Sequence, residues 1–317
     1  MFSGCIDGHL HNSFNGFDTK SLLEHLDRSG SYVGWILSWE EEAPEVPMLY
    51  QNVGLKDVLR CCRLYPKKFQ PFYAPDPLSP SAIEDFSKAV DRGIKGCGEL
   101  KSVVTWDDVR VERLLELVSQ EHMPLIFHME KANTVCLPRS DGLFARLLVK
   151  LVKRNNYQYE YEHTKRQSFV QAVLRRYIFT VRTSGYMRGF RSLERRLKEF
   201  DRIGFIGHGP LFWQGVSDDW DRVEQYPSTP ITNEGPSIRL LKNYSNMYAD
   251  ISGYSGYNAL KRDIDFTKFL LNRYYKKIIF GTDNCSYGYK KLILDVVPEY
   301  KKRLCIFRNN ALSLLRG

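Results

Sequence analysis

Near the start of the chain, Asp7-Gly8-His9-Leu10-His11 sets two imidazoles two residues apart. On a β-strand such residues point the same way, so His9 and His11 could chelate one divalent ion from one side. Taken alone, the pair reads equally well as a chance spacing with one hydrogen-bonded core histidine. The other histidines bear on that choice. His128 and His208 end two further β-like runs, and Gly281-Thr282-Asp283 ends another with a carboxylate. His25 and His122 fall in helical stretches and His163 in a polar insertion, so these three are expected at helix ends or on the surface. In Gly98-Glu99-Leu100-Lys101 the carboxylate and the ammonium share parity. Both could face the interior, where a buried ion pair between Glu99 and Lys101 is the structural reading.

Three protein ligands that leave an open position let Zn2+ lower the pKa of bound water to about 7 and polarise a carbonyl. In such a site Asp283 would take the proton of the nucleophile and return it to the leaving group. His208 would ligate a second ion or donate to a developing oxyanion. Asp7, a layer deeper than His9, is expected to support the ligands rather than join them. The expected cofactor is Zn2+, one ion or two, with Mn2+ or another divalent ion as the alternative.

These side chains are far apart in sequence, and the rhythm of the chain supplies what must gather them. β-like runs at 5–11, 32–39, 69–75, 94–101, 124–130, 202–209, 247–253 and 277–283 alternate with amphipathic stretches. Leu55–Tyr65, Ala82–Arg92, Arg110–His122, Phe190–Phe200 and Phe266–Tyr275 read as helices. Ile83, Phe86, Ala89 and Val90 recur at helical steps, and Pro66, Gly93, Pro124 and Gly235-Pro236 punctuate the joins. Strand-then-helix units in this number predict a closed (β/α)8 TIM barrel. An open doubly wound sheet usually carries a Gly-rich phosphate turn after its first strand, where this chain has histidines.

Composition narrows the class further. The 317 residues are 43% hydrophobic, ordinary for a globular protein. No run of eighteen apolar residues exists to span a membrane, and Met1-Phe2-Ser3-Gly4 leads straight into a core strand rather than a signal peptide. Seven cysteines without a CxxC pair read as reduced thiols of a cytoplasmic protein. The net charge of +9 is concentrated. Residues 139–202 hold sixteen Lys and Arg against six Asp and Glu, a balance of +10, so the remainder is near neutral. A local basic insertion argues against a nucleic-acid-binding protein and for something tied to the site.

The whole pattern resembles the amidohydrolase superfamily: His-x-His after strand one, His after strands five and six, Asp after strand eight. Ile6-Asp7-Gly8-His9-Leu10-His11, Leu125-Ile126-Phe127-His128, Phe205-Ile206-Gly207-His208-Gly209 and Ile279-Phe280-Gly281-Thr282-Asp283 are similar to the amidohydrolase-related branch that includes metal-dependent decarboxylases. Asn309-Asn310-Ala311-Leu312-Ser313-Leu314-Leu315 resembles that branch's closing Asn-Ala helix, and Ser252–Leu260 is similar to a stretch of its uncharacterised bacterial members. The resemblance implies a metal set of His9, His11, Glu99, His128, His208 and Asp283. Strand four of the superfamily often supplies a carboxylated lysine or a glutamate to a second metal, which favours Glu99.

The implied function is hydrolysis of an amide, lactone or other C–N or ester-like bond in a small, acidic molecule. Non-oxidative decarboxylation of a small aromatic acid is the alternative, phosphodiester cleavage a third, and a non-catalytic binding protein a fourth. Lys101, Trp213, Ser252 and Tyr257, at or after strand ends, are the candidate substrate contacts. The chain reads as one domain, 1–317, in which 131–189 inserts after strand five as a helical lid. Arg146–Arg154 and Phe169–Val181 carry helical spacing, and Arg139 could return to the pocket to hold a carboxylate. The same basic face would also suit a partner, and a homo-oligomer is compatible with it.

Overall fold

A computed structural model describes residues 4–14, 16–42, 44–45, 51–138 and 178–316. Eight strands lie parallel and in chain order: β1 Cys5–Leu10, β2 Ser31–Leu37, β3 Phe69–Phe72, β4 Cys97–Leu100, β5 Leu125–His128, then β8 Phe205–His208, β9 Met247–Asp250 and β10 Ile278–Ile279. The ladder runs unbroken from β1 to β3 and from β4 to β10. Backbone hydrogen bonds stitch both seams. Lys95 N donates to Pro71 O at 2.7 Å and Tyr73 N to Gly96 O at 3.1 Å, joining β3 to the approach of β4. Gly8 N donates to Phe280 O and Asp283 N to His9 O, both at 2.8 Å, joining the end of β10 to β1. The sheet is thus a closed TIM barrel, as the alternation predicts.

The helices form where the apolar spacing places them, at Leu55–Leu64, Ala82–Asp91, Val109–Gln120, Phe190–Glu199 and Ile264–Arg273 among others. Each turns a buried stripe toward the strands; Val111, Leu114, Leu115 and Val118 are that stripe on Val109–Gln120. Asp108 starts that helix by accepting a hydrogen bond from Arg110 N. Inside the barrel Ile6, Trp35, Leu37, Phe72, Ile126, Ile206 and Ile279 form one cluster, with Ala311 of the closing helix packed against it.

β1 departs from strict alternation. Ile6 belongs to the interior cluster, whereas Leu10 packs outward with Leu22, Leu26 and Ile36. An unbroken two-residue period would put both on one face. The register against β2 shifts between Asp7 and Leu10, as a bulge does. Asp7, next to inward-facing Ile6, points to the outer helical layer by ordinary alternation, and the shift after it exchanges the faces so that His9 and His11 meet at the mouth of the barrel.

Two compact units are resolved by their internal contacts: Met1–Glu42, Gln51–Glu130 and Tyr186–Gly317 form the barrel, and Ala43–Tyr50 with Lys131–Gly185 form a second. Within the second, β6 Asn133–Pro138 pairs antiparallel with β7 Ile178–Thr183, from Asn133↔Thr183 to Pro138↔Ile178. Helical spacing over Phe169–Val181 therefore misreads its last residues, which are strand. β-branched and aromatic residues in Ile178-Phe179-Thr180-Val181 favour that outcome. Arg139 and the stretch Arg146–Arg154 lie outside the described residues. No helix among the described residues is long and apolar enough to cross a membrane. Cys61 and Cys62 are buried core fillers.

Phe127 is fully buried next to His128 and meets Trp106 edge-on at 4.8 Å between ring centroids. Phe127→Ala should destabilise the chain by about 3–5 kcal/mol, read as a lower urea midpoint; a midpoint unchanged within error would contradict this packing.

Candidate metal centre

The six side chains expected to hold metal come together at the mouth of the barrel. Ligand atoms of His9, His11 and Glu99, of His9, His208 and Asp283, and of Glu99, His128 and His208 form three overlapping groups, each within 4.8 Å. His9 Nε2 and His11 Nε2 lie 3.0 Å apart. Glu99 is the hub. Its Oε2 is 3.3 Å from His11 Nε2 and 3.7 Å from His9 Nε2, and its Oε1 is 2.7 Å from His128 Nδ1 and 3.8 Å from His208 Nε2. Asp283 Oδ1 sits 3.7–3.8 Å from the Nε2 atoms of His11 and His9, and its Oδ2 is 4.0 Å from that of His208. Glu99 is buried; the Asp283 side chain keeps 25% exposure.

The far ring nitrogens show how the imidazoles are aimed. His9 Nδ1 is 2.7 Å from Asp250 Oδ2, His208 Nδ1 is 3.0 Å from the same oxygen, and His11 Nδ1 is 3.0 Å from Leu37 O. A carboxylate or carbonyl at Nδ1 takes the N–H, so each of these rings turns its Nε2 toward the centre. Ser252 Oγ also donates to Asp250 Oδ2, at 2.5 Å, and Ser252 N to its Oδ1. His128 differs, with Glu99 at Nδ1 and Glu130 Oε2 3.2 Å from Nε2.

Charge in this buried space is arranged as a cation site requires. Burial opposes ionisation of Glu99, yet hydrogen bonds from His11 and His128 hold its carboxyl well below the usual range. Burial likewise opposes charge on Asp250, and His208 and His9 hold it below the ordinary value. Burial pushes His9 down, but Asp250 raises it well above an ordinary imidazole. His128 is also raised, by Glu130 and Glu99 against burial and Lys101. Burial and the charge of His9 lower His208. A group of four imidazoles and two carboxylates, two of the imidazoles with raised proton affinity, fits a divalent ion by its donor chemistry.

The supporting residues are less regular than the ligands. Asp7 accepts from Thr282 N, Thr282 Oγ1 and His9 N at 2.9, 2.7 and 3.2 Å, the supporting role expected of it. Burial pushes its carboxyl up to about 7, against hydrogen bonds from Thr282. His25 corrects the expectation of a surface residue: it is 2% exposed and its Nε2 lies 2.8 Å from Thr282 Oγ1. His122 is at an exposed helix end.

Among the candidate substrate contacts, Lys101 Nζ sits 3.8 Å from the centre of the Trp39 ring and 4.6 Å from that of Tyr186. That is the geometry of a cation held by aromatic faces rather than of an ion pair with Glu99. Tyr257 stacks on Tyr287 at 4.9 Å. Ser252 and Trp213 are turned inward instead. Ser252 binds Asp250, and the buried Trp213 indole donates to Asp250 O at 3.0 Å. Gly253, at φ 67, lies against the mouth, where a Cβ would come 2.9 Å from Asp283 Oδ2.

Sequence reading missed Asp250, Glu130 and Asn284. Asn284 clamps the end of β1, accepting from His11 N at 3.0 Å and donating to His11 O at 2.8 Å. A charged residue ending the apolar run Met247-Tyr248-Ala249, and a glutamate two residues past His128, were the available signals.

No protein-family model matches the chain, and no curated protein matches it. Solved structures do. An uncharacterised TIM-barrel protein from Bordetella bronchiseptica has a TM-score of 0.58 at 14% identity, over 99% of this chain and 98% of that one. A probable 2-pyrone-4,6-dicarboxylic acid hydrolase from Acinetobacter baumannii, with citric acid bound, gives 0.51 at 12% identity over 99% and 100%. A 5-carboxyvanillate decarboxylase from Novosphingobium aromaticivorans, with bound manganese and a methoxy-hydroxy-nitrobenzoic acid, gives 0.52 at 13% identity over 95% and 82%. The latter two are enzymes of the kind that the strand-end pattern resembles. At these identities the shared property is the TIM-barrel fold.

Asp250→Asn keeps the size of the side chain and removes the charge that both His9 and His208 face. Metal affinity measured by competition with a chromogenic chelator should fall about 10–100-fold; an unchanged affinity would mean that Asp250 does not orient these rings.

Proposed function

We propose that the chain is a metal-dependent hydrolase acting on an amide, lactone or other ester-like bond of a small acidic molecule. The observation that carries this reading is the asymmetry of the site. Glu99 and the imidazoles of His9, His11 and His208 are buried, while Asp283 keeps a quarter of its surface open beside them. A divalent ion held by His9, His11, His128, Asp283 and Glu99 would supply Lewis acidity and lower the pKa of water, Zn2+ and Mn2+ both suiting the donor set.

The chain's own groups then have separable tasks. Asp283 is the carboxylate that substrate can reach, and we assign it the proton taken from the attacking water and passed to the leaving group. His208 fits the role of ligand better than that of oxyanion donor. Ser252 gives its hydroxyl proton to Asp250, so His208 Nδ1 carries the N–H and Nε2 presents a lone pair. Lys101, held between Trp39 and Tyr186, is a fixed cation suited to a substrate carboxylate. Its charge also bears on His128 and Glu130, which places it close to the centre.

Decarboxylation of an aromatic acid is the second reading, supported by the fold shared with a decarboxylase and by a Lys101 site that would serve either reaction. The two differ in product: hydrolysis incorporates solvent oxygen, and decarboxylation releases CO2. Incubation of the metal-loaded protein with carboxylated lactones, amides and hydroxybenzoates in H2(18)O should give label in the product of a lactone or amide. Asp283→Asn should lower kcat about 10²–10⁴-fold, and Lys101→Met should raise KM at least about tenfold with less effect on kcat. CO2 release without turnover of any ester or amide would replace the first reading by the second.

A further inference from the structure

His128 is held the other way round from its three companions. His9, His11 and His208 turn Nε2 toward the centre and are gripped at Nδ1. His128 instead turns Nδ1 to Glu99 Oε1 at 2.7 Å, and its Nε2 lies 3.2 Å from Glu130 Oε2. A ring that ligates an ion through one nitrogen carries its proton on the other, and that N–H needs an acceptor. Asp250 is the acceptor for His9 and His208, and the carbonyl of Leu37 for His11. Glu130, to which the reaction proposed above gives no task, occupies the equivalent place behind His128.

The local sequence puts it there. Met129 N donates to His208 O and Leu211 N to Met129 O, each at 2.9 Å, so the chain stays extended past the end of β5. Residues two apart on an extended chain project to the same side, and His128-Met129-Glu130 thereby sets a carboxylate beside the imidazole. The backbone of Glu130 is fixed by a reciprocal pair with Tyr186, whose two hydrogen bonds measure 3.0 and 2.8 Å. The carboxylate is fixed as well, because Gln225 Nε2 donates to its Oε1 at 2.9 Å. The chain just before Gln225 is held in turn by the buried Gln214, whose Nε2 donates to Glu224 O at 2.6 Å. A polar path thus runs from the helix that follows His208, through Gln225 and Glu130, to His128. Ligation by Glu130 itself fits less well. Among the described residues it joins none of the three groups of candidate ligand atoms that lie within 4.8 Å, whereas Glu99 joins two of them.

We propose that Glu130 is the positioning residue of His128. It accepts the N–H of Nε2, Gln225 keeps its carboxylate in place, and the ring is thereby aimed so that Nδ1 meets the ion beside Glu99. The inference rests on the reading of this centre as a metal site, and it concerns how one ligand is aimed rather than which bond is cleaved.

Zinc binding to the full chain, measured by titration calorimetry against a competing chelator, tests the role on three variants. Glu130→Ala should lower the affinity about 10–100-fold while the number of ions bound at saturation stays the same. Glu130→Gln keeps an oxygen that can accept from Nε2 and should lose less. Gln225→Ala should shift the affinity in the same direction by a smaller factor, and it carries the test should Glu130→Ala not fold. Ring nitrogen NMR of the unaltered zinc-loaded chain should find the His128 proton on Nε2, as a signal that the Gln225 variant weakens and Glu130→Ala loses to solvent exchange. Unchanged affinity in Glu130→Ala and Gln225→Ala would reduce Glu130 to packing and overturn the role. An ion missing at saturation from Glu130→Ala, which would make Glu130 a ligand, or a His128 proton on Nδ1 would overturn it too. Uptake of neither zinc nor manganese by the unaltered chain is the separate result that would bring down the metal centre itself, and the role with it.

Discussion

Asp250 Oδ2 accepts hydrogen bonds from His9, from His208 and from Ser252, while Ser252 N binds the other oxygen. A fully buried carboxylate without such partners would not remain charged. Here the partners hold it ionised, and it in turn fixes which nitrogen of each ring carries the proton. Glu99 repeats the relation from the opposite side, facing all four imidazoles. Two anions therefore set the geometry of four rings, and the barrel exists at this end to bring their strands within reach. Without a cation His9 and His128 hold a proton more tightly than an ordinary imidazole does. Metal binding and proton release are consequently coupled in this site.

The supports form a layered arrangement behind the ligands. Asp7 and Thr282 connect β1 to the end of β10, Asn284 clamps the backbone of His11, and Trp213 holds the carbonyl of Asp250. The contacts of Asp7 and Asn284 join strands that are adjacent only because the barrel closes. The first and last strands thus meet where ligation needs rigidity, and the open carboxylate, Asp283, follows directly on that seam. Lys101 has its charge held between the rings of Trp39 and Tyr186.

Much of the barrel was legible because its information is local. Strand and helix positions followed two-residue and 3.6-residue periods, and five of the six centre-forming residues lie at or beside a strand's end, whereas the last strand stops at Ile279 and Asp283 sits four residues beyond it. What escaped was information of another kind. Asp250 lies at the end of a strand with nothing in the local pattern to name its partners, which come from β1 and β8. His25 looked like an ordinary helical residue because its partner Thr282, which also binds Asp7, comes from the far end of the chain. At Ile178–Val181 helical spacing lost to β-branched residues paired across a ribbon with a partner some forty positions away.

The central claim, that these six side chains form a divalent-metal site, is tested most directly by anomalous diffraction at the zinc and manganese edges from crystals of the purified chain. One or two peaks should lie about 2.0–2.2 Å from the His9 and His11 Nε2 atoms, with Asp283 or Glu99 completing the coordination. Absence of a peak after growth with either ion, or a peak only at sites away from these imidazoles, would contradict it.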